Sequence, residues 1–108
     1  MTSLKLDEDA LEMVAQRFKL LSDPMRLKIL NILQAGEKSV SELVMLTGTS
    51  QPNVSKHLST LRSSRMVKRR QKANQAYFSI AAPFIFELCD IVCSSINDEL
   101  HAQINILQ

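Results

Sequence analysis

The 108-residue sequence is poor in the residues that interrupt helices, with two glycines and three prolines, and it has no tryptophan. So few breaks favour a compact, mainly α-helical chain. Two cysteines are too few for the disulfide framework of a small secreted domain, so a reducing, cytoplasmic setting is expected. No apolar run reaches the roughly 20 residues of a membrane span, and the opening MTSLKLDEDA is too acidic for a secretory signal. No membrane partner is therefore expected. Hydrophobic residues make up 45% and charged residues 22%. That composition excludes a disordered tail or a fibre and fits one domain, residues 1–108, around a single core.

The most informative absence is of charge of one sign. Residues 43–86 contain seven Lys/Arg and no Asp or Glu, whereas residues 1–42 carry six basic and seven acidic side chains. Residues 87–108 carry four acids and no Lys/Arg. A net charge of +2 thus conceals a strongly basic middle, the electrostatic footprint of a protein that meets a polyanion.

Periodicity divides the chain into short helices. Acidic residues open a first helix over about 7–21, whose apolar face is Leu11, Val14, Phe18 and Leu21. Asp23 and Pro24 read as the N-cap and first residue of a second helix carrying Leu27, Leu30 and Leu33 and stopping at Gly36. Ser39 and Glu42 form a capping box for a short helix that packs Val40, Leu43, Val44 and Thr47 and ends at Gly48. Ser50 caps the next, with Pro52 in its first turn and Val54, Leu58 and Leu61 inward. Two short helices joined by a tight glycine turn are the sequence form of a helix-turn-helix.

After Arg65 the period changes to that of strands. Residues 66–71 and 76–80 flank the polar tip Lys72-Ala73-Asn74-Gln75, predicting a two-stranded hairpin that must lean on the helices. A last helix runs from near Pro83 to about Asn105, with Ile85, Cys89, Val92, Cys93, Ile96, Leu100, Ile104 and Leu107 in one stripe. Six turns of stripe exceed what a small core can cover, so this helix, helped by the first, is expected to pair with a second subunit. The fold predicted is a mainly α winged helix-turn-helix of about five helices plus a two-stranded wing, forming a homodimer.

The expected partner is double-stranded DNA. A recognition helix presents its N-terminal residues to base edges in the major groove. Here those are Ser50, Gln51, Pro52, Asn53 and Ser55, with Lys56, His57 and Ser59 following. Gln51 and Asn53 suit adenine because an amide donates and accepts together, while Lys56 suits phosphate. On the wing Lys68, Arg70 and Lys72 share one strand parity and Arg69 and Gln71 the other. Lys68, Arg70, Lys72 and Gln75 are assigned to DNA. His57 beside Leu58 reads as a partly buried or phosphate-contacting histidine rather than a ligand, and His101 as a solvated one.

Cys89 and Cys93, at i and i+4, share a helix face. Such thiols could hold a soft metal or metalloid, respond to oxidants or reactive sulfur, or simply pack as small hydrophobes. No cation follows residue 72 in sequence to lower a thiol pKa.

The runs Leu21-Ser22-Asp23-Pro24-Met25-Arg26-Leu27-Lys28-Ile29-Leu30, Ser41-Glu42-Leu43 and Ser50-Gln51-Pro52-Asn53-Val54-Ser55-Lys56-His57-Leu58, then Leu61, resemble the ArsR/SmtB family of bacterial regulators. The resemblance spans nearly the whole chain. It implies a homodimeric winged-helix repressor that binds a palindromic operator and releases it when an inducer binds. The family's familiar sensor sites are not intact here. Glu42-Leu43-Val44-Met45 stands where arsenic- and cadmium-type members carry Cys-x-Cys. Counting from Asp90, Val92, Gln103 and Ile106 stand at the zinc-type ligand positions. Asn31 stands where thiol-sensing members pair a second-helix cysteine with one resembling Cys93. An inducer acting at Cys89 and Cys93 would therefore use a variant site. The competing readings are a constitutive DNA-binding regulator with structural cysteines and a winged-helix protein-interaction module. No Cys-x-x-Cys, glycine-rich phosphate loop or base beside a nucleophile points to an enzyme.

Overall fold

The structure, a computed structural model, describes residues 7–107, with side chains described through residue 102. Five helices and a small sheet follow one another as α1 (Glu8–Leu21), α2 (Pro24–Leu33), β1 (Lys38–Ser39), α3 (Val40–Thr47), α4 (Gln51–Ser63), β2 (Val67–Lys72), β3 (Gln75–Ile80) and α5 (Phe84–Leu107).

The starts of α1 to α4 are chemically specified. Carboxylates of Asp7 and Asp23 accept from the backbone N–H groups of Ala10 and of Met25 and Arg26. Ser39 and Glu42 exchange hydrogen bonds at the head of α3, at 3.1 and 3.0 Å, and Ser50 Oγ accepts from Asn53 N–H at 3.3 Å. These groups satisfy N–H donors that have no partner within the helix. Gly48 closes α3 in the left-handed region, at φ +75°, which turns the chain sharply into α4.

The sheet is antiparallel in the order β1-β3-β2. Its third strand, β1, corrects the two-stranded wing expected from sequence: Lys38 and Ser39 pair with Phe78 and Tyr77. Two residues are too few to show a strand period. The hairpin is also longer than expected, because pairing continues to Lys72 and Gln75 and leaves Ala73 and Asn74 as the turn.

The core gathers Ile29, Leu30 and Leu33 of α2, Leu43 of α3, Val54, Leu58 and Leu61 of α4, and Met66, Val67 and Phe78 of the wing. The terminal helices contribute only Leu20 and Ile85 to it. Most of the predicted face of α1 lies outside this core: Leu11, Val14 and Phe18 are exposed, and half-buried Leu21 packs against it. On α5, Val92, Ile96 and Leu100 are exposed, while the stripe residues Ile104 and Leu107 lie outside the described side chains. The Cα radius of gyration, 16.9 Å, exceeds the about 13 Å of a compact chain this long. None of the described helices is long and apolar enough to cross a membrane.

Candidate nucleic-acid interface and cysteine cleft

Helix α4 is held by its inner face. Val54, Leu58 and Leu61 are fully buried against α2, α3 and the sheet, so the opposite face is fixed outward. That outer face carries Gln51, Pro52, Ser55, Lys56 and Ser59, all exposed, with the Ser50 cap at its head. Thr60 and Ser63 donate their hydroxyls back to the Lys56 and Ser59 carbonyls, at 3.1 and 2.9 Å. The half-buried Asn53 donates from Nδ2 to Thr49 Oγ1 at 3.0 Å, which leaves its amide oxygen and one N–H uncommitted. The end of α3, which leads into α4, is tied to α2, where Lys28 Nζ donates to the Thr47 carbonyl at 3.1 Å.

His57 does not join that face. Its side chain is 7% exposed because position 57 precedes Leu58 on the inward stripe, and it is withdrawn from the set of DNA-facing residues.

The wing divides by strand parity, and the burial pattern decides which side is which. Val67 and Phe78 are buried, so the face of β2 that carries Arg69 and Gln71 turns toward the helices. Arg69 accordingly lines a cleft with Ser55, Ser59 and Arg62 of α4, its guanidinium donating to Gln71 Oε1 at 2.6 Å. Arg62 and Arg69 were absent from the sequence-based assignment. The parity of Val67 in an extended strand is the signal that finds Arg69.

Lys68, Arg70 and Lys72 occupy the outer face, with Gln75 opposite Lys72. Arg70 is already engaged: its Nη2 and Nε donate to Glu37 Oε1 and Oε2 at 2.6 and 3.1 Å. The Arg70 hydrogen bond holds the Glu37 carboxyl below its ordinary range, with further lowering from the charges of Arg70, Lys72 and Lys68. In the free protein the guanidinium assigned to DNA is thus exposed and held bidentately by a carboxylate. At the tip, Gln75 and Asn74 meet Gln51 and Ser41 around a second polar cleft, which joins the wing to the N-terminal end of the α4 face.

Cys89 is half-buried and Cys93 exposed, both as free thiols. They line one cleft between α2 and α5 with Asn31, Gln34 and Asp90 at its rim and Leu27, Leu30 and Ile85 among its apolar residues. Burial pushes the Cys89 thiol up, and the neighbouring Cys93 and Asp90 push it the same way. Among the described residues no group of three or more His, Cys, Asp or Glu side chains could hold a metal ion. The described residues of one protomer therefore offer a soft ion two thiols, with no third His, Cys, Asp or Glu placed to complete a set of three.

Residues 23–69, from the α2 cap through the first half of β2, match the family model for bacterial regulatory proteins of the arsR family. The chain is 38% identical over 74 residues to a probable mercury resistance operon repressor of Streptomyces lividans, covering 68% of this chain and 59% of that protein. It is 32% identical to the HTH-type transcriptional regulator Rv0081 of Mycobacterium tuberculosis, over 94% of this chain and 90% of that one. The Rv0081 crystal structure superimposes with a TM-score of 0.81, covering 91% and 99% of the two chains. A possible ArsR-family regulator of Mycobacterium bovis, solved in solution as a homodimeric winged helix-turn-helix DNA-binding domain, superimposes with a TM-score of 0.74. That pair is 29% identical, over 92% of this chain and 94% of the other. With a winged helix-turn-helix fold and these relatives, the chain belongs to the arsR family of bacterial regulatory proteins, which are transcriptional regulators and not enzymes.

Proposed function

We propose that this protein is a homodimeric, sequence-specific DNA-binding repressor that recognises a palindromic operator. One observation carries the proposal. The exposed face of α4 runs without a carboxylate from Gln51 to Arg62 and continues across a cleft onto Arg69 of the wing. Gln51, the Asn53 amide oxygen and Ser55 suit base edges, whereas Lys56, Arg62, Arg69 and the outer Lys68 and Lys72 suit phosphate. The exposed apolar faces of α1 and α5 support a second copy as the other partner, as does the homodimeric Mycobacterium bovis neighbour. Two-fold pairing would place two α4 helices on half-sites about one helical turn apart.

The finer part of the proposal is that an inducer acts at Cys89 and Cys93. Their shared cleft supports it, and the shortage of ligands within one protomer favours a thiol-reactive inducer over a bound soft metal or metalloid. Cys93 is the more exposed thiol of the single chain and lies on the stripe that faces the second copy. Cys89, whose thiolate is disfavoured by burial, is the less reactive one.

The test is fluorescence anisotropy with DNA from the protein's own upstream region. A dimer neutralising six to ten phosphates loses roughly 10³–10⁵-fold in affinity between 50 and 200 mM salt. Affinity indifferent to salt would sink the repressor reading. Treatment with an oxidant, a persulfide donor or arsenite then addresses the thiols. Release from DNA by wild type, but not by Cys89→Ser or Cys93→Ser, identifies the sensor and its chemical class. Equal binding by all three proteins under every treatment assigns the cysteines to packing.

A further inference from the structure

We propose that Glu37 and Arg70 form a strap across the three-stranded sheet that fixes the wing where it meets DNA, making Glu37 a positioning residue for DNA binding. The inference rests on the DNA-binding reading above and adds to it an acidic residue that touches no nucleic acid.

The need for a strap follows from topology. Strand β2 is an edge strand, paired within the sheet only with β3; Val67 anchors its start in the core, but every residue after it is exposed, and an isolated hairpin is marginal in water. Arg70 stands opposite Tyr77 on β3, and Tyr77 stands opposite Ser39 on β1. The guanidinium lies over the Tyr77 ring, 5.5 Å from its centroid, and reaches the carboxylate two residues before Ser39. One side chain therefore spans all three strands and joins residues 33 positions apart. The contact is bidentate, with both oxygens engaged, a geometry that fixes direction as well as distance.

The charge makes the idea testable by sign. An acid beside a DNA-binding wing repels phosphate, so on charge alone its removal tightens binding and steepens the salt dependence. A positioning role demands the opposite. Because exposed ion pairs add little to global stability, Glu37→Gln should fold normally, and the effect should concentrate in the wing.

Three variants are measured beside wild type on specific and scrambled DNA: Glu37→Gln, Arg70→Gln, and the exchange Glu37→Arg with Arg70→Glu. We expect each single variant to lose about fivefold in specific affinity with little change on scrambled DNA, and the exchange to restore most of the loss. Amide hydrogen exchange of β2 in the free protein should accelerate in both single variants and recover in the exchange. Tighter or unchanged specific binding by Glu37→Gln overturns the proposal. So does a loss in Arg70→Gln that the exchange fails to restore, which would make Arg70 a direct phosphate contact. If wild type itself shows no salt-sensitive DNA binding, the repressor reading fails. Unaltered β2 exchange in the variants would then refute the strap on its own.

Discussion

Helices α4 and α5 both carry an apolar stripe at helical spacing, yet they end in opposite environments. In thirteen residues α4 buries Val54, His57, Leu58 and Leu61, whereas α5, at twenty-four residues, buries only Ile85 among those described. The stripe of α4 is covered by α2, α3 and the sheet. Beyond Cys89 that of α5 is left largely open by the described residues: Val92, Ile96 and Leu100 are each about half exposed. An amphipathic pattern says that a face will be covered and leaves open by what. When the rest of a small chain has already closed its core, the remaining apolar face is open to a second copy, as proposed above for α5.

Substitutions that separate the two kinds of stripe should have the largest effects. Leu58→Ala opens a cavity in the closed core and should cost about 2–5 kcal/mol, measured by denaturant unfolding, with the helical signal lost at lower denaturant. Ile96→Glu should instead convert a dimer to a monomer in sedimentation equilibrium, while amide protons of α4 stay protected. If Ile96→Glu melted α4 as thoroughly as Leu58→Ala does, the distinction between core stripe and interface stripe would collapse.

The middle of the fold was legible in the sequence because its signals are local. Caps at Asp23, Ser39 and Ser50, the Gly48 turn and the Val54–Leu58–Leu61 stripe all act within one or two helical turns, and each stands where the pattern put it. What the sequence concealed depends on long-range neighbours. Strand β1 exists because β3 lies beside it. His57 is buried because of what α4 packs against. Arg70 meets Glu37 across 33 positions, so the acid-free segment is not free of acid in space. The split of the wing into an inner Arg69 and an outer Arg70 was half legible: alternation separates the two, and only the burial of Val67 and Phe78 says which faces α4.

Backbone strain offers a smaller contrast between two turns. Gly48 sits at φ +75° with nothing within 4 Å of where a Cβ would lie, so Gly48→Ala meets no clash and costs backbone strain alone, about 1 kcal/mol. Ala73, at φ +54° in the hairpin turn, already bears that strain. Ala73→Gly should therefore stabilise the wing by about 0.5 kcal/mol, the relief being partly offset by a more flexible unfolded chain. Thermal unfolding of the two variants should move in opposite directions. Equal destabilisation by both would show that the Ala73 turn is not strained.

The smallest expected effect is a pH dependence that originates in the same local signals. The Glu42 carboxyl is held below its ordinary value of 4.5, first by the backbone N–H of Ser39 and then by the Ser39 side chain. Asp23 lies below its ordinary 3.8, chiefly through the Arg26 N–H, against some opposing desolvation. A carboxyl whose folded pKa is depressed contributes stability that is fully present above its unfolded value and is lost as pH falls through the folded one. Wild-type melting temperature should thus decline below about pH 4.5 as the α2 and α3 caps protonate. Glu42→Gln should start lower at pH 7 and decline less steeply over the same interval, because the group that titrates has gone. These bonds are short and local, so the difference should survive 0.5 M salt, whereas a contribution from long-range surface charge would be screened away. Parallel curves for wild type and Glu42→Gln would mean that the cap does not carry this part of the acid sensitivity.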